Sequence, residues 1–420
     1  MPLVPEPSRS QPLPTGDATA LGFDAARLAR IGPALQQYID DGKVPNLVTL
    51  LARRGQIVHL EARGVLDLDS GLPVDTASLF RMWSNTKPIA GVATLILYED
   101  GLLTPDDPIG RWLPEWRDLR VLLPDAAGMT ERARRGITIR DCLTNTTGLA
   151  TQWRAPVMLR MQHKETLEKL GWFGPPADLP FRDRVRLMAE LPLLAHPGER
   201  YDYHVGYLLL GAVLEAASGQ TLDRLFHERI FAPLRMHDTS FYVPDGGLPR
   251  FTAQYMPAQV DGKWRLHRND KADESEKVRG PRNKFGAGGD AAGVVCTIGD
   301  YARFGQMLLN GGTLDGARIL GRKTVDLMTA NHTGDLLIPM TGPGFHWGLG
   351  VATYHGRGRL PLLRSVGTYG WGGAAGTTYF ADPAESLLGV CFTQVMQHNL
   401  MPGNTYQEEF QRLAYQSLAD

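Results

Sequence analysis

The stretch RMWSNTKPIAGVATLILYEDG, residues 81–101, holds a serine and a lysine three positions apart, Ser84 and Lys87, at the head of an apolar run. A serine hydroxyl is a weak nucleophile until a neighbouring base takes its proton. On a helix, residues i and i+3 share a face with Cβ atoms about 5–6 Å apart. Lys87 therefore reaches Ser84 if the helix starts at or just before the serine. Pro88 supports that start, because proline is tolerated in a first turn, where no intrahelical N–H bond is lost. From Pro88 to Tyr98 the chain is rich in Ala, Leu and Ile, as a buried helix is, and Asp100-Gly101 stops it. Burial lowers the pKa of an ammonium from roughly 10.4 and fits Lys87 for work as a base, directly or through a tyrosine. A helix N-terminus adds free N–H groups and a positive dipole end that favour an oxyanion beside Ser84. The competing reading is that Ser84 merely caps the helix, since serine is a favoured N-cap and Ser-x-x-Lys arises by chance. Partners elsewhere must decide.

Outward from this stretch the chain changes character twice. Residues 24–42 show helical periodicity ending in Gly42, and LVTLLARRGQIVHLEARG (47–64) reads as two strands around an Arg-Gly turn. From about 102 to 280, helical stretches such as RDRVRLMAELPLL (182–194) and GYLLLGAVLEAASG (206–219) dominate, with few convincing strands. Strand signals return in FHWGLGVATYH (345–355), GTTYFADP (376–383) and SLLGVCFTQVM (386–396), with a hairpin turn across Ala381–Ser386. TYQEEFQRLAYQSLA (405–419) closes the chain as a helix. Strands at both ends with helices between predict an α/β (α+β) fold, with one antiparallel sheet built from both termini and flanked by helices. The expected division is an arm at 1–20, an α/β domain of 21–101 and 281–420, and an inserted, mainly helical domain at 102–280. The cleft between the two domains is the default place for a site.

Composition narrows the function classes. The 420 residues are 43% hydrophobic and 21% charged, with 44 Lys plus Arg against 45 Asp plus Glu. That balance argues against a nucleic-acid surface or a polybasic membrane patch. No apolar run approaches the roughly 20 residues that span a bilayer. The N-terminal MPLVPEPSRSQPLPTGDATA lacks the charged and apolar regions of a secretion signal, so a cytoplasmic protein is expected. Cys142, Cys296 and Cys391 form no CxxC pair and read as buried free thiols. The eleven histidines include no HExxH and no close pair with ligand spacing, so no metal is expected. The mixed-charge stretch DKADESEKVRGPRNK (270–284) reads as a solvated loop, with a flap over the cleft as the sharper alternative.

Two segments supply the partners that Ser84 and Lys87 need: PGERYDYHVGYLLLGAVLEAASG (197–219) and GTYGWGGAAGTTYFADP (367–383). With SNTK, YHVGYLLLG and WGGAAGTTYFADP in one chain, the sequence resembles the serine β-lactamase-like hydrolases. These include class C β-lactamases, DD-peptidases and family VIII carboxylesterases. The resemblance runs from about residue 24 to 415. ITIRDCLTNTTGL (137–149), IFAPLRMHDTSF (230–241) and GVVCTIGDYARFGQMLLNGG (293–312) fit as flanking pieces.

The resemblance implies that Ser84 is the nucleophile, that Lys87 receives or steers its proton, and that Tyr203 is the general base. It implies an oxyanion hole of the Ser84 and Ala374 amides, with Trp371, Gly372 and Gly373 along the acyl wall. Tyr201 is the rival to Tyr203, but Tyr203 lies eight residues before Gly211, in the family's spacing. His332-Thr333-Gly334 imitates a third motif, yet it follows the helical pattern LGRKTVDLMTA and reads as a helix end.

Two departures bear on the substrate. Val205 stands where β-lactamases carry an asparagine that contacts the substrate amide, and the cationic third motif is replaced by Trp-Gly-Gly. A site without those polar groups should prefer small or medium uncharged esters. Asn145, where relatives often carry histidine, is taken as structural. Segment 152–181 is rich in Trp, Met and Phe; it is either helical-domain core or a hydrophobic substrate wall carrying Trp153, Trp172 and Phe173. GxSxG is absent, so the lipase triad is no rival. The expected activity is ester hydrolysis through an acyl-enzyme, with no cofactor, no nucleic acid, and a small-molecule ester or related acyl compound as substrate. The rivals are an amidase, D-peptidase, weak β-lactamase or acyltransferase using the same groups, and an inactive binding relative. A homo-oligomer is compatible with the sequence.

Overall fold

This computed structural model describes residues 12–123, 128–151, 156–171, 179–203, 205–243, 246–270, 293–356 and 363–420. Both ends of the chain contribute to one sheet. Strands β1 (Asn46–Arg53) and β2 (Gln56–Gly64) come from the N-terminal part. Strands β3 (Phe345–Trp347), β4 (Ala352–Tyr354), β5 (Tyr369–Gly372), β6 (Thr378–Asp382) and β7 (Leu387–Phe392) come from the C-terminal part. The order is β3-β4-β5-β6-β7-β1-β2, with every pair antiparallel. The termini are joined where β1 pairs with β7, from Val48↔Phe392 to Arg53↔Leu387.

The expected Arg-Gly hairpin is present. Arg54 (φ 51°) and Gly55 (φ 79°) are both left-handed. Those are the dihedrals a two-residue turn needs to match the twist of its strands. Next to β2, Gly16 N–H donates to Ile57 O (2.9 Å) and Ile57 N–H donates to Pro14 O (2.8 Å). The described part of the arm thus lies along the sheet edge, with Leu13 buried, and covers backbone groups that an open edge would expose.

Helices α1 (Ile31–Asp40) and α5 (Tyr406–Gln416) cover one face through Leu35, Tyr406, Phe410 and Leu413. On the other face lie α2 (Thr86–Glu99), α3 (Gly206–Ser218) and α4 (Ile298–Leu309). Helix α2 is buried from Thr86 to Leu97. Burying each of its Ile, Val and Leu side chains contributes about 1.5–3 kcal/mol. That anchors the segment carrying Ser84 in the main core.

The expectation of few strands between 102 and 280 needs correcting. Arg120–Leu122 pairs with Thr130–Arg132, and Tyr255–Val260 pairs with Lys263–Arg268 through a left-handed Asp261-Gly262 turn. The second hairpin lies at the surface, burying only Tyr255 and Pro257. Its apolar alternation is therefore weak, and its basic residues resemble those of a loop. Among the described residues, no helix is long and apolar enough to cross a membrane.

Candidate active site

Ser84 sits in a 3₁₀ turn, Trp83–Asn85, that runs directly into α2. In 3₁₀ geometry, residues i and i+3 eclipse, and Lys87 Nζ donates to Ser84 Oγ at 3.0 Å. Ser84 does not cap α2: Asn85 holds the N-cap position, without a side-chain cap bond. Just before the serine, Trp83 has φ 47°. A left-handed tryptophan costs on the order of 1–2 kcal/mol. Its indole N–H is held by Gln254 Oε1 at 2.8 Å, so tertiary contacts offset the strain that presents Ser84.

Lys87 is wholly buried, and its Nζ lies 4.6 Å from the ring centroid of Tyr203 and 5.2 Å from that of Tyr207. Those ring faces and the serine oxygen replace part of the ammonium's lost hydration. Tyr207 is fixed by its own hydrogen bond to Leu143 O at 2.8 Å. Tyr203 lies just before α3, and the Trp371 indole N–H donates to its hydroxyl at 2.8 Å. Tyr201 is placed differently. Its ring is packed in a small core with Ile338, Trp347 and Ala352, and burial pushes its phenol well above the ordinary range.

The turn after β5 meets the loop carrying Ser84 at Gly373. A Cβ there would lie 2.3 Å from Met82 O and 2.4 Å from Thr377 Oγ1, so only glycine permits the approach. Gly373 N–H donates to Thr377 O at 2.6 Å, and Gly376 N–H donates to Gly373 O at 2.9 Å. The Ala374 amide donates to no carbonyl within this turn. Thr377 Oγ1 ties the turn back to the Ser84 loop, donating to Met82 O (3.2 Å) and accepting from Asn85 Nδ2 (3.2 Å).

A cavity of about 600 Å³ opens over these groups; its lining includes Ser84, Tyr203, Trp371, Gly372, Gly373 and Ala374. Val205 packs on the main core at the head of α3 and is not among the lining residues. Trp153, Trp172 and Phe173 lie outside the described residues, as does the 270–284 stretch after Asp270. Asn145 caps a helix in the left-handed conformation (φ 59°), a structural post. His332 follows the end of a helix, where its Nε2 lies 2.7 Å from Leu327 O and its Nδ1 2.5 Å from Arg140 Nη1. Among the described residues no three His, Cys, Asp or Glu side chains gather as a metal site.

Sequence reasoning missed Trp347. It meets Trp371 edge-on, centroids 4.4 Å apart, and lies 6.0 Å from Tyr203. Its own N–H is fixed on Leu143 O at 2.8 Å. Phe345 and Met340, also unanticipated, line the cavity. The only available signal was the pair of aromatics flanking His346 on a short strand.

A family model described as Beta-lactamase matches residues 33–411. The chain is similar to an uncharacterized protein of Mycobacterium tuberculosis, 33% identical over 368 residues, covering 84% of this chain and 87% of that protein. It is also similar to esterase EstB of Burkholderia gladioli, 28% identical over 384 residues, covering 88% and 91%. Among solved structures it resembles EstCE1, a hydrolase with promiscuous acyltransferase activity. There the TM-score is 0.75 and the identity 26%, over 93% of this chain and 99% of that one.

Proposed function

This chain belongs to the beta-lactamase family and is a serine hydrolase of that fold, and we propose that the bond it cuts is a carboxylic ester, in small or medium substrates uncharged around the reacting carbonyl. The carrying observation is the Ser84 oxygen, held 3.0 Å from the nitrogen of a wholly buried lysine, in a cavity shared with Tyr203 and Trp371. In this reading Tyr203, beside Lys87, takes the Ser84 proton as the oxygen attacks the ester carbonyl. The Ser84 and Ala374 amides accommodate the oxyanion. The Tyr/Lys pair returns the proton to the leaving alcohol, and water then releases the acyl group from Ser84. Trp371 stands where a cation would attract a β-lactam carboxylate, which supports esters over β-lactams. The cleft lies between the sheet unit (21–101 and 281–420) and the helical insertion (102–280).

The test is Ser84→Ala assayed on p-nitrophenyl butyrate, with nitrocefin in parallel. The variant should lose ester hydrolysis; retained activity in a clean preparation would contradict the assignment. A second reading, transfer of the acyl group to an alcohol instead of water, is favoured by the likeness to EstCE1. Adding an alcohol acceptor and measuring the ester formed tests it.

A further inference from the structure

One cation in the cavity is not used by this chemistry. Arg364 lines the same cavity as Ser84, on the stretch leading into β5. Its guanidinium lies 5.0 Å from the ring centroid of Phe345 and 5.7 Å from that of Tyr354. Its Nη2 donates to Gln411 Oε1 of α5. Its Nε is buried and has no hydrogen-bond partner among the described residues. Among the described residues no carboxylate forms an ion pair with it. Asp382 is already engaged by Ser365 N–H (3.0 Å), Thr368 Oγ1 (3.1 Å) and Tyr415 OH (2.7 Å). Glu408 lines the cavity without pairing to the guanidinium. Partial burial pushes the Arg364 pKa down, as expected for a half-buried cation whose direct partners are neutral.

A half-buried charge without an opposite charge carries part of the cost of burial, and a ligand anion would relieve it. The cavity lining runs from Arg364 along β5 to Gly373, Ala374 and Ser84. Gly370 and Gly372 leave a bare floor on β5, with Ala352 and Thr378 opposite them and Phe380 also paired with Gly370. That floor runs four residues from Thr368 to Gly372, roughly 13 Å at strand spacing.

We propose that the cavity continues past Gly372 into an anion-recognition arm headed by Arg364, which receives a carboxylate at the far end of the substrate. The rings of Phe345 and Tyr354 and the Gln411 carbonyl hold the planar fork in place, so little side-chain entropy is lost on binding. The carboxylate sits at the tip of either the acyl or the alcohol half, remote from the uncharged reacting ester. This inference rests on the esterase reading.

The experiment uses two series of esters of increasing length, one of p-nitrophenyl esters whose acyl chain ends in carboxylate and one of butyrate esters of ω-hydroxy acids, whose alcohol chain ends in carboxylate. Each is compared with its methyl-ended match, and p-nitrophenyl butyrate is included. The wild-type chain should prefer the carboxylate-ended ester at one length in one series, by roughly tenfold to hundredfold in kcat/KM. Arg364→Gln should erase most of that preference, with the carboxylate-ended ester losing at least tenfold more than butyrate. Arg364→Lys should recover part of it. No preference at any length in either series of the wild type overturns the proposal, as does a preference that Arg364→Gln leaves intact. If Arg364→Gln fails to fold, the wild-type series and Arg364→Lys still decide. Failure to hydrolyse butyrate as well would instead sink the esterase reading.

Discussion

Replacing Trp371 with Phe asks what Tyr203 is at the moment of reaction. The indole N–H lies 2.8 Å from the Tyr203 hydroxyl, and the two ring centroids are 5.5 Å apart. Phenylalanine keeps most of the ring contact, including the edge-on packing against Trp347, and deletes the donor. A hydrogen bond to a neutral acceptor contributes about 0.5–1.5 kcal/mol, and one to a charged acceptor about 1.5–3 kcal/mol. A Tyr203 acting as phenolate therefore loses roughly tenfold to hundredfold in kcat/KM, whereas a neutral relay loses less than about tenfold. The pH dependence has a definite sign. The donor stabilises the deprotonated form, so without it Tyr203 keeps its proton to higher pH. The acid limb of kcat/KM should move upward, and the deficit should close on the alkaline side. The assay is p-nitrophenyl butyrate hydrolysis across pH, with Tm as the check on folding. Full kcat/KM with an unmoved acid limb would refute the donor role.

Gly373→Ala forces the turn away from Met82 O, 2.3 Å from the new Cβ. It should lower kcat by roughly 10²–10³, the cost of misplacing one oxyanion donor, with little change in KM; a wild-type kcat would contradict the placement of Ala374. Burial holds His59 neutral with its pKa lowered to about 4 from 6.5, so its contribution to stability is full above pH 6.5 and is lost as pH falls toward 4. Urea melts should show up to about 3 kcal/mol of that loss, and His59→Asn should flatten the curve; an unchanged slope removes His59 as the cause. Burial pushes the thiols of Cys142, Cys296 and Cys391 up. Ellman's reagent should find none in the native protein and three in urea; rapid native labelling would contradict their burial.

Much of this fold could be read because local chemistry and global role coincide. The Arg54-Gly55 turn, the buried α2 and the amphipathic α5 each carry their own signal of turn residues or periodicity. The Ser84–Lys87 pair was legible for the same reason, since three residues on one short turn fix the distance between the two groups. The same logic would have found the Asp261-Gly262 hairpin, had Pro257 and the run of basic residues not masked the alternation. The remainder depends on contacts that no local pattern encodes. Trp83 adopts a left-handed conformation, and Gln254, far along the chain, holds its indole. Trp347, Trp371 and Tyr203 meet from three separate segments, and so do Arg364, Phe345 and Gln411. A spacing rule can nominate Trp371 for the cavity wall. It cannot show that the indole N–H meets the Tyr203 hydroxyl.

The most direct test of the account is intact-mass measurement, followed by peptide mapping, after the chain meets p-nitrophenyl butyrate and, separately, a cephalosporin. The account predicts a butyryl adduct on Ser84 that clears quickly, with a slow or absent cephalosporin adduct. A fast-clearing cephalosporin adduct with poor butyrylation would contradict the ester assignment, and an adduct on any residue other than Ser84 would contradict the site.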